Sequence, residues 1–302
     1  METINSRARV SVVIATYHRE AALKNALESL AQQTYTDHEI VLVNDNAESN
    51  WNEKINTIVE NFRRNYPEER LTYIVNPFNK GSAATRNVGI QASRGEYVTF
   101  LDDDDIYLPE KIANQLECML QTGADYGVTD LELYYDDGKL CEKRARTYIE
   151  KADYASLIRY HMMYHLTGTD TLMFRREYLL KIGGFDSIDM GDEFYLMLKA
   201  IEGKGSFAYL PKCDVKAYVH REVEGLSSGD GKIDGENCLH AVKKKYFSFL
   251  SKSDIKYVET RHFAVIAFAE LRRKYYASFV KNALKAFVVS PINCVRLLKE
   301  HR

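Results

Sequence analysis

The sequence predicts an α/β protein: a doubly wound, mostly parallel sheet with right-handed crossovers, followed by a helical C-terminal extension. Two observations predict the sheet. Short β-branched runs alternate with stretches of helical spacing through the first hundred residues. Runs such as VSVVIA and EIVLV have the composition of parallel strands buried on both faces. A third observation sets the scale: 302 residues of ordinary globular composition can bury a full α/β core with an appendage.

The elements follow in order. VSVVIA (10–15) is the first strand. Residues 20–33 carry Ala22, Leu23, Ala26, Leu27 and Leu30 at helical spacing. EIVLV (39–43) is a strand, 51–65 a helix, LTYIV (71–75) a strand, 82–93 a helix, and EYVTFL (96–101) a strand. Pro109 suits the first turn of a helix running to about Thr122. Beyond residue 123, ADYGVTDLELYY and KLCEKRART read as strands around the turn DDGK (136–139). A helix near 152–160 comes next, then an irregular stretch, 167–186. GDEFYLMLKAIE (191–202) is a helix with acids in its first turn, favourable against the macrodipole. SFAYLP and DVKAYVH are short strands, and the Gly/Ser-rich 221–231 reads as a mobile loop. The expected division is an α/β domain, 1–232, and a basic helical extension, 233–302.

In such sheets ligands bind beyond the carboxyl ends of the strands. The residues there are TYHRE (16–20), NDNAES (44–49), NPFNKGSAATRN (76–87) and DDDD (102–105). Four carboxylates gathered behind a buried strand repel one another unless solvent or a cation absorbs the charge.

Other features narrow the function classes. The five cysteines are scattered with no Cys-x-x-Cys pair, which argues against a zinc site or a disulfide framework and suggests a reducing, cytoplasmic setting. The N-terminal METINSRAR has no apolar signal core, and FAVIAFA (263–269) is too short to span a bilayer. A net charge of −2 conceals an asymmetry: residues 241–302 hold 14 Lys+Arg against 4 Asp+Glu, and the rest 27 against 39. No recognised nucleic-acid motif accompanies the basic section.

In their order and spacing, SVVIATYHRE, VLVNDNAES, NKGSAATRNVGI, YVTFLDDDDIYLP and GGFDSIDMGDEFYLML, with YVHREVEGLS as a looser sixth piece, resemble the family 2 glycosyltransferases. These are inverting enzymes of GT-A fold that use nucleotide-diphosphate sugars. The resemblance covers about residues 9–225.

It implies a site. The family's DXD motif maps to Asp102 and Asp104, with Mn²⁺ or Mg²⁺ as cofactor and Asp104 as the direct ligand. Hard divalent ions favour carboxylate and phosphate oxygens. Asp45 matches the position that accepts the uracil N3–H, although Asn44 stands where the family more often has a second aspartate. Thr16 and Tyr17 wrap the same base, Lys80 meets the diphosphate, and Asp103 lies among the donor contacts. Arg86 either pairs with Asp45 or a cluster aspartate, or contacts the donor. His18, where the family often has Asn, receives no role.

Inversion needs a carboxylate on the acceptor side to take the hydroxyl proton. The family writes this site Glu-Asp; here it is Asp192-Glu193, and aligning the leucine-rich helix puts Glu193 at the base position with Asp192 as its rival. GGFD (183–186) shapes a turn beside the sugar, and Gly168, Thr169 and Asp170 line the sugar or acceptor pocket. His220 is either a third metal or phosphate ligand or a solvent-facing histidine.

The implied function is transfer from a UDP-sugar to a hydroxyl of a glycan or lipid-linked acceptor in bacterial surface-polysaccharide synthesis. One rival is a non-catalytic carbohydrate- or membrane-binding protein on the same fold. Another is a sugar-phosphate nucleotidyltransferase, which would need a Gly-rich phosphate loop that ATYHREAAL does not supply. In the basic section, apolar residues recur from Phe268 through Leu271, Tyr275, Phe279 and Phe287, with Arg273, Lys274, Lys281 and Lys285 mostly opposite. That pattern suits an amphipathic helix lying on an anionic membrane, or equally one packed on the catalytic domain.

Overall fold

A computed structural model describes residues 9–188, 191–219 and 230–300. They form two compact units. One contains 9–152, 167–187 and 192–219; the other contains 153–166, 188, 191 and 230–300.

The first unit opens with β1 (Val10–Thr16), α1 (Ala21–Ala31), β2 (His38–Asn44), α2 (Ser49–Asn65), β3 (Leu71–Val75), α3 (Ser82–Ala92) and β4 (Tyr97–Phe100). β1 pairs in parallel with both β2 and β4, and β2 with β3. Burial explains the apolar runs: every residue of β2 and β4 is buried. Helix α1 turns Leu23, Ala26, Leu27 and Leu30 into the same core as Val10, Val12 and Ile14. α3 lies so close to β1 that a Cβ on Gly89 would stand 2.3 Å from a Val13 methyl, so only glycine fits there.

The chain continues with β5 (Ile106–Tyr107), α4 (Lys111–Thr122), β6 (Tyr126–Thr129), β7 (Leu131–Tyr135) and β8 (Leu140–Arg144). After α5 (Tyr154–Tyr164), which belongs to the second unit, come β9 (Leu172–Arg175), α6 (Arg176–Lys181), α7 (Asp192–Glu202), β10 (Phe207–Leu210) and β11 (Val215–Val219). The large sheet has the order β10-β6-β9-β4-β1-β2-β3, and a small sheet the order β5-β11-β7-β8.

Two corrections to the sequence reading follow. The stretch 167–186, read as irregular, contains β9, which runs antiparallel between β4 and β6 in the middle of the large sheet. Four residues, the first three of them buried, offer neither length nor alternation to betray a strand. ADYGVTDLELYY is also two strands: it breaks at Asp130, sending β6 to the large sheet and β7 to the small one. Asp130 accepts from the Arg146 backbone at 2.9 Å and the Tyr209 hydroxyl at 2.7 Å, which fixes the switch.

The second unit holds α5 with α8 (Asp230–Lys244), α9 (Lys252–Arg272), α10 (Tyr276–Val289) and α11 (Pro291–Glu300). Ser251 and Asp254 form a capping box at the start of α9. Arg159 of α5 grips the same Asp254 with two hydrogen bonds of 2.8 Å. The apolar recurrence from Phe268 to Phe287 is not one helix: Lys274 sits at φ 63°, separating α9 from α10. The predicted loop falls largely, and His220 wholly, outside the described residues.

Candidate functional site

The carboxyl ends of β1, β2 and β4 bring Thr16, Tyr17, Asp45 and the aspartates 102–105 to one end of the first unit's large sheet. Three groupings form there.

The first surrounds Asp45, just after β2. Its buried carboxylate accepts from Asn76 Nδ2 at 2.7 Å and from the backbone N–H groups of Lys80 and Gly81, both at 2.9 Å. Asp45 thus ties down the 76–81 loop that presents Lys80. Asn44, also buried, donates to Asn52 and Tyr73 and accepts from the Asn46 backbone and side chain. Thr16 is buried at the end of β1, and its carbonyl accepts from the Asp45 N–H at 2.9 Å.

The second grouping is aromatic. The His18 ring stacks between Tyr17, at 3.9 Å and 14°, and Trp51, at 4.7 Å and 18°. His18 Nε2 lies 2.7 Å from Glu48. Sequence reasoning gave His18 no role and passed over Trp51. The signal available was that the chain's one tryptophan falls just after NDNAES. Beside this stack the Tyr17 N–H donates to Asp103 at 3.2 Å, and Arg19 meets Asp104 at 2.9 Å. Burial, reinforced by Asp104, pushes the Asp103 carboxyl up to about 7.

The third grouping is acidic. Carboxylate oxygens of Asp102, Asp105 and Asp170 lie within 4.8 Å of one another. The Asp102 N–H donates to Asp170 at 2.7 Å, and the Tyr218 N–H to Asp105 at 2.8 Å. Burial first, then repulsion from Asp170, raises the Asp105 pKa; burial first, then repulsion from Asp102, raises that of Asp170. Clustered oxygens whose charge is disfavoured by burial and by one another form a donor set for a hard divalent cation. The residues fit such an ion. The sequence predicted Asp104 and Asp102, whereas the oxygens gathered here are those of Asp102, Asp105 and Asp170, with Asp104 on Arg19.

Arg86 ties the acidic end to α7. It donates to Asp102 at 2.6 Å and to Asp192 at 3.0 Å. Burial disfavours its charge, but those two carboxylates outweigh burial and raise its pKa. Of the alternatives open in the sequence, the pairing is with a cluster aspartate and with Asp192, not Asp45.

Glu193 is held differently from its neighbour. It accepts from the Gly168 N–H at 2.8 Å and from the Thr169 hydroxyl. Burial, more than anything nearby, raises its pKa. Asp192 is also raised by burial, and Arg86 partly restores it. The GGFD turn docks on α3: Asn87 donates to the Phe185 carbonyl at 2.8 Å and accepts from the Phe185 N–H at 2.9 Å. Gly184, at φ +62°, would place a Cβ 2.5 Å from Asn87 Oδ1.

At the opposite, amino ends of the strands lies a cavity of about 690 Å³ lined by Arg9, Glu96, Arg175 and Glu177. Arg9, Arg175 and Arg176 there face three acids, Asp37, Glu96 and Glu177, so the lining has no net charge to attract an anionic donor.

Residues 11–183 match the family model described as Glycosyl transferase family 2. An uncharacterized glycosyltransferase of Haemophilus influenzae is 33% identical over 128 residues, 41% of this chain and 49% of that protein. The Escherichia coli UDP-Glc:alpha-D-GlcNAc-diphosphoundecaprenol beta-1,3-glucosyltransferase WfaP is 33% identical over 110 residues, 36% of this chain and 41% of that protein. The chain spans between about half and two thirds of the length of the first curated relatives it matches. Among solved structures, S. aureus TarS 1-349 in complex with UDP-GlcNAc superposes with a TM-score of 0.61 at 19% identity, covering 91% of this chain and 89% of that one. At that identity the likeness speaks to the fold.

Proposed function

This chain belongs to glycosyl transferase family 2, and from that premise we propose that it is an inverting, metal-dependent glycosyltransferase. It moves a hexosyl or N-acetylhexosaminyl group from a UDP-sugar to a hydroxyl of a glycan or lipid-linked acceptor in surface-polysaccharide synthesis. The observation that carries the reading is the unequal treatment of two adjacent acids. Asp192 is spent on Arg86, whereas the donors to Glu193 among the described residues are neutral, from Gly168 and Thr169. A half-buried carboxylate with a raised pKa and, among the described residues, no direct cationic partner is suited to accept a proton.

In this reading Glu193 takes the acceptor hydroxyl proton as that oxygen attacks C1 of the donor sugar. The new C1–O bond forms on the face opposite the breaking bond to the diphosphate, so an α-linked donor yields a β-linked product and UDP leaves. Asp102, with Asp104 as the sequence motif implies or with Asp105 and Asp170 as the cluster geometry favours, would hold Mn²⁺ or Mg²⁺. When bound, such an ion neutralises charge on the leaving diphosphate. Asp45 holds the loop that presents Lys80 to the diphosphate, and Thr16 and Tyr17 flank the base. The bound uracil would take its N3–H contact from Asp45. The named activity of WfaP supports both the UDP donor and the lipid-linked acceptor. The setting is the cytoplasmic face of the membrane, with peripheral attachment.

A UDP-release assay across UDP-sugars, with saccharide and lipid-linked acceptors, tests the reading. Turnover by the wild-type chain that is lost in Glu193→Gln supports it. Turnover that survives in Glu193→Gln but not in Asp192→Asn moves the base to Asp192. Absence of turnover with every donor would favour the non-catalytic rival.

A further inference from the structure

We propose that the outward faces of α10 and α11 form a docking surface for an anionic lipid bilayer. α10 packs along α9 and buries Ala286 on that side. Tyr276, Val280, Leu284, Phe287 and Val288 fall on another side of the same helix, and all five are exposed, Val288 at 81%. At 100° per residue they span about a third of the helix circumference, with Lys281 and Lys285 next around it. α11 continues the surface with Ile292 (81% exposed), Val295 and Leu298 at a spacing of three.

Isolated exposed apolar side chains are ordinary; eight of them gathered on two successive helices mark an interaction surface. The charge around it selects the partner. Residues 271–302 hold 8 Lys+Arg and a single acid, Glu300. A second copy placed face to face would set basic rim against basic rim. An anionic bilayer accepts both parts, the apolar stripe in the acyl boundary and the lysines among the headgroups. Among the described residues no helix is long and apolar enough to cross a membrane, so the geometry is one of lying on the surface. The left-handed residue Lys274 (φ 63°) ends α9, and α10 follows as a separate helix packed along it.

This names the surface behind the peripheral attachment proposed above, but it rests on the helical unit's own residues. Co-sedimentation of the full chain tests it, with vesicles of phosphatidylcholine alone and of an equal mixture with phosphatidylglycerol, at low and high salt. The wild type is expected to pellet with the mixed vesicles, to bind the neutral ones weakly, and to be released by salt. Lys281→Gln/Lys285→Gln should weaken binding on the order of tenfold or more. Leu284→Glu/Val288→Glu should abolish it while circular dichroism and UDP binding stay unchanged. Equal binding to both vesicle types, no binding, or binding untouched by the two glutamates would overturn the proposal. So would a wild-type dimer in light scattering that Val288→Glu dissolves, which would assign the face to a second copy. UDP binding measured on the same proteins separates failure of this surface from failure of the catalytic reading.

Discussion

Asp192 and Glu193 share a helix N-terminus, yet their surroundings assign them different work. Removing the Glu193 charge as Glu193→Gln should lower kcat by roughly 10²–10⁴-fold with UDP affinity unchanged. Asp192→Asn should disturb Arg86 and through it Asp102, so its deficit should include weaker metal-dependent UDP binding. Burial holds Glu193 above the ordinary carboxylate range, and the base acts only when deprotonated. The kcat/KM of the wild type should therefore fall as pH drops through that raised pKa, with a midpoint above that of a free glutamate. A profile still flat at the pKa of a free glutamate would contradict the assignment. The aspartates can be told apart by Mn²⁺ titration. If the geometric cluster holds the ion, Asp170→Asn should weaken binding more than Asp104→Asn; the reverse order would favour the sequence motif. Asp102 and Glu193 were legible because the motifs they sit in are local. Asp170 as a partner of Asp102 was not, since 68 residues separate them and only the sheet brings them together.

Among the elements, the clearest dependence is that of α9 on its first turn. Asp254 completes the capping box and takes both Arg159 hydrogen bonds, so Asp254→Ala should cost the helical unit about 1–3 kcal/mol, read as a lower Tm by circular dichroism. The Arg159 hydrogen bonds hold the Asp254 pKa below its ordinary value. Its contribution is present at neutral pH and is lost as pH falls through that depressed pKa; Asp254→Asn should flatten this part of the acid transition. Gly184→Ala meets both a left-handed backbone and Asn87, and should displace the GGFD turn at about 1–3 kcal/mol, with sugar transfer falling more than UDP binding. The long β-α repeats of the first hundred residues could be read from periodicity alone. β9 could not, because its place in the sheet is set by β4 and β6 rather than by any pattern of its own.

Across the whole molecule, the fold class, the alternation, and the gathering of the acidic and loop residues at one end of the sheet were all present in the sequence. The division into units was less so: α5 lies between β8 and β9 in the chain but belongs with α8 to α11. The uneven charge now has a location. The basic excess of 241–302 sits in the helical unit, and the unit that holds the acidic cluster carries most of the compensating acids. The central claim is that the acidic end of the large sheet is a metal-dependent nucleotide-diphosphate site. Calorimetric titration of UDP with Mn²⁺ and with EDTA, on wild type and Asp102→Ala, addresses it most directly. Micromolar binding that requires Mn²⁺ and disappears in the variant is the expected result. UDP binding of equal strength with EDTA, or retained in full by Asp102→Ala, would contradict it.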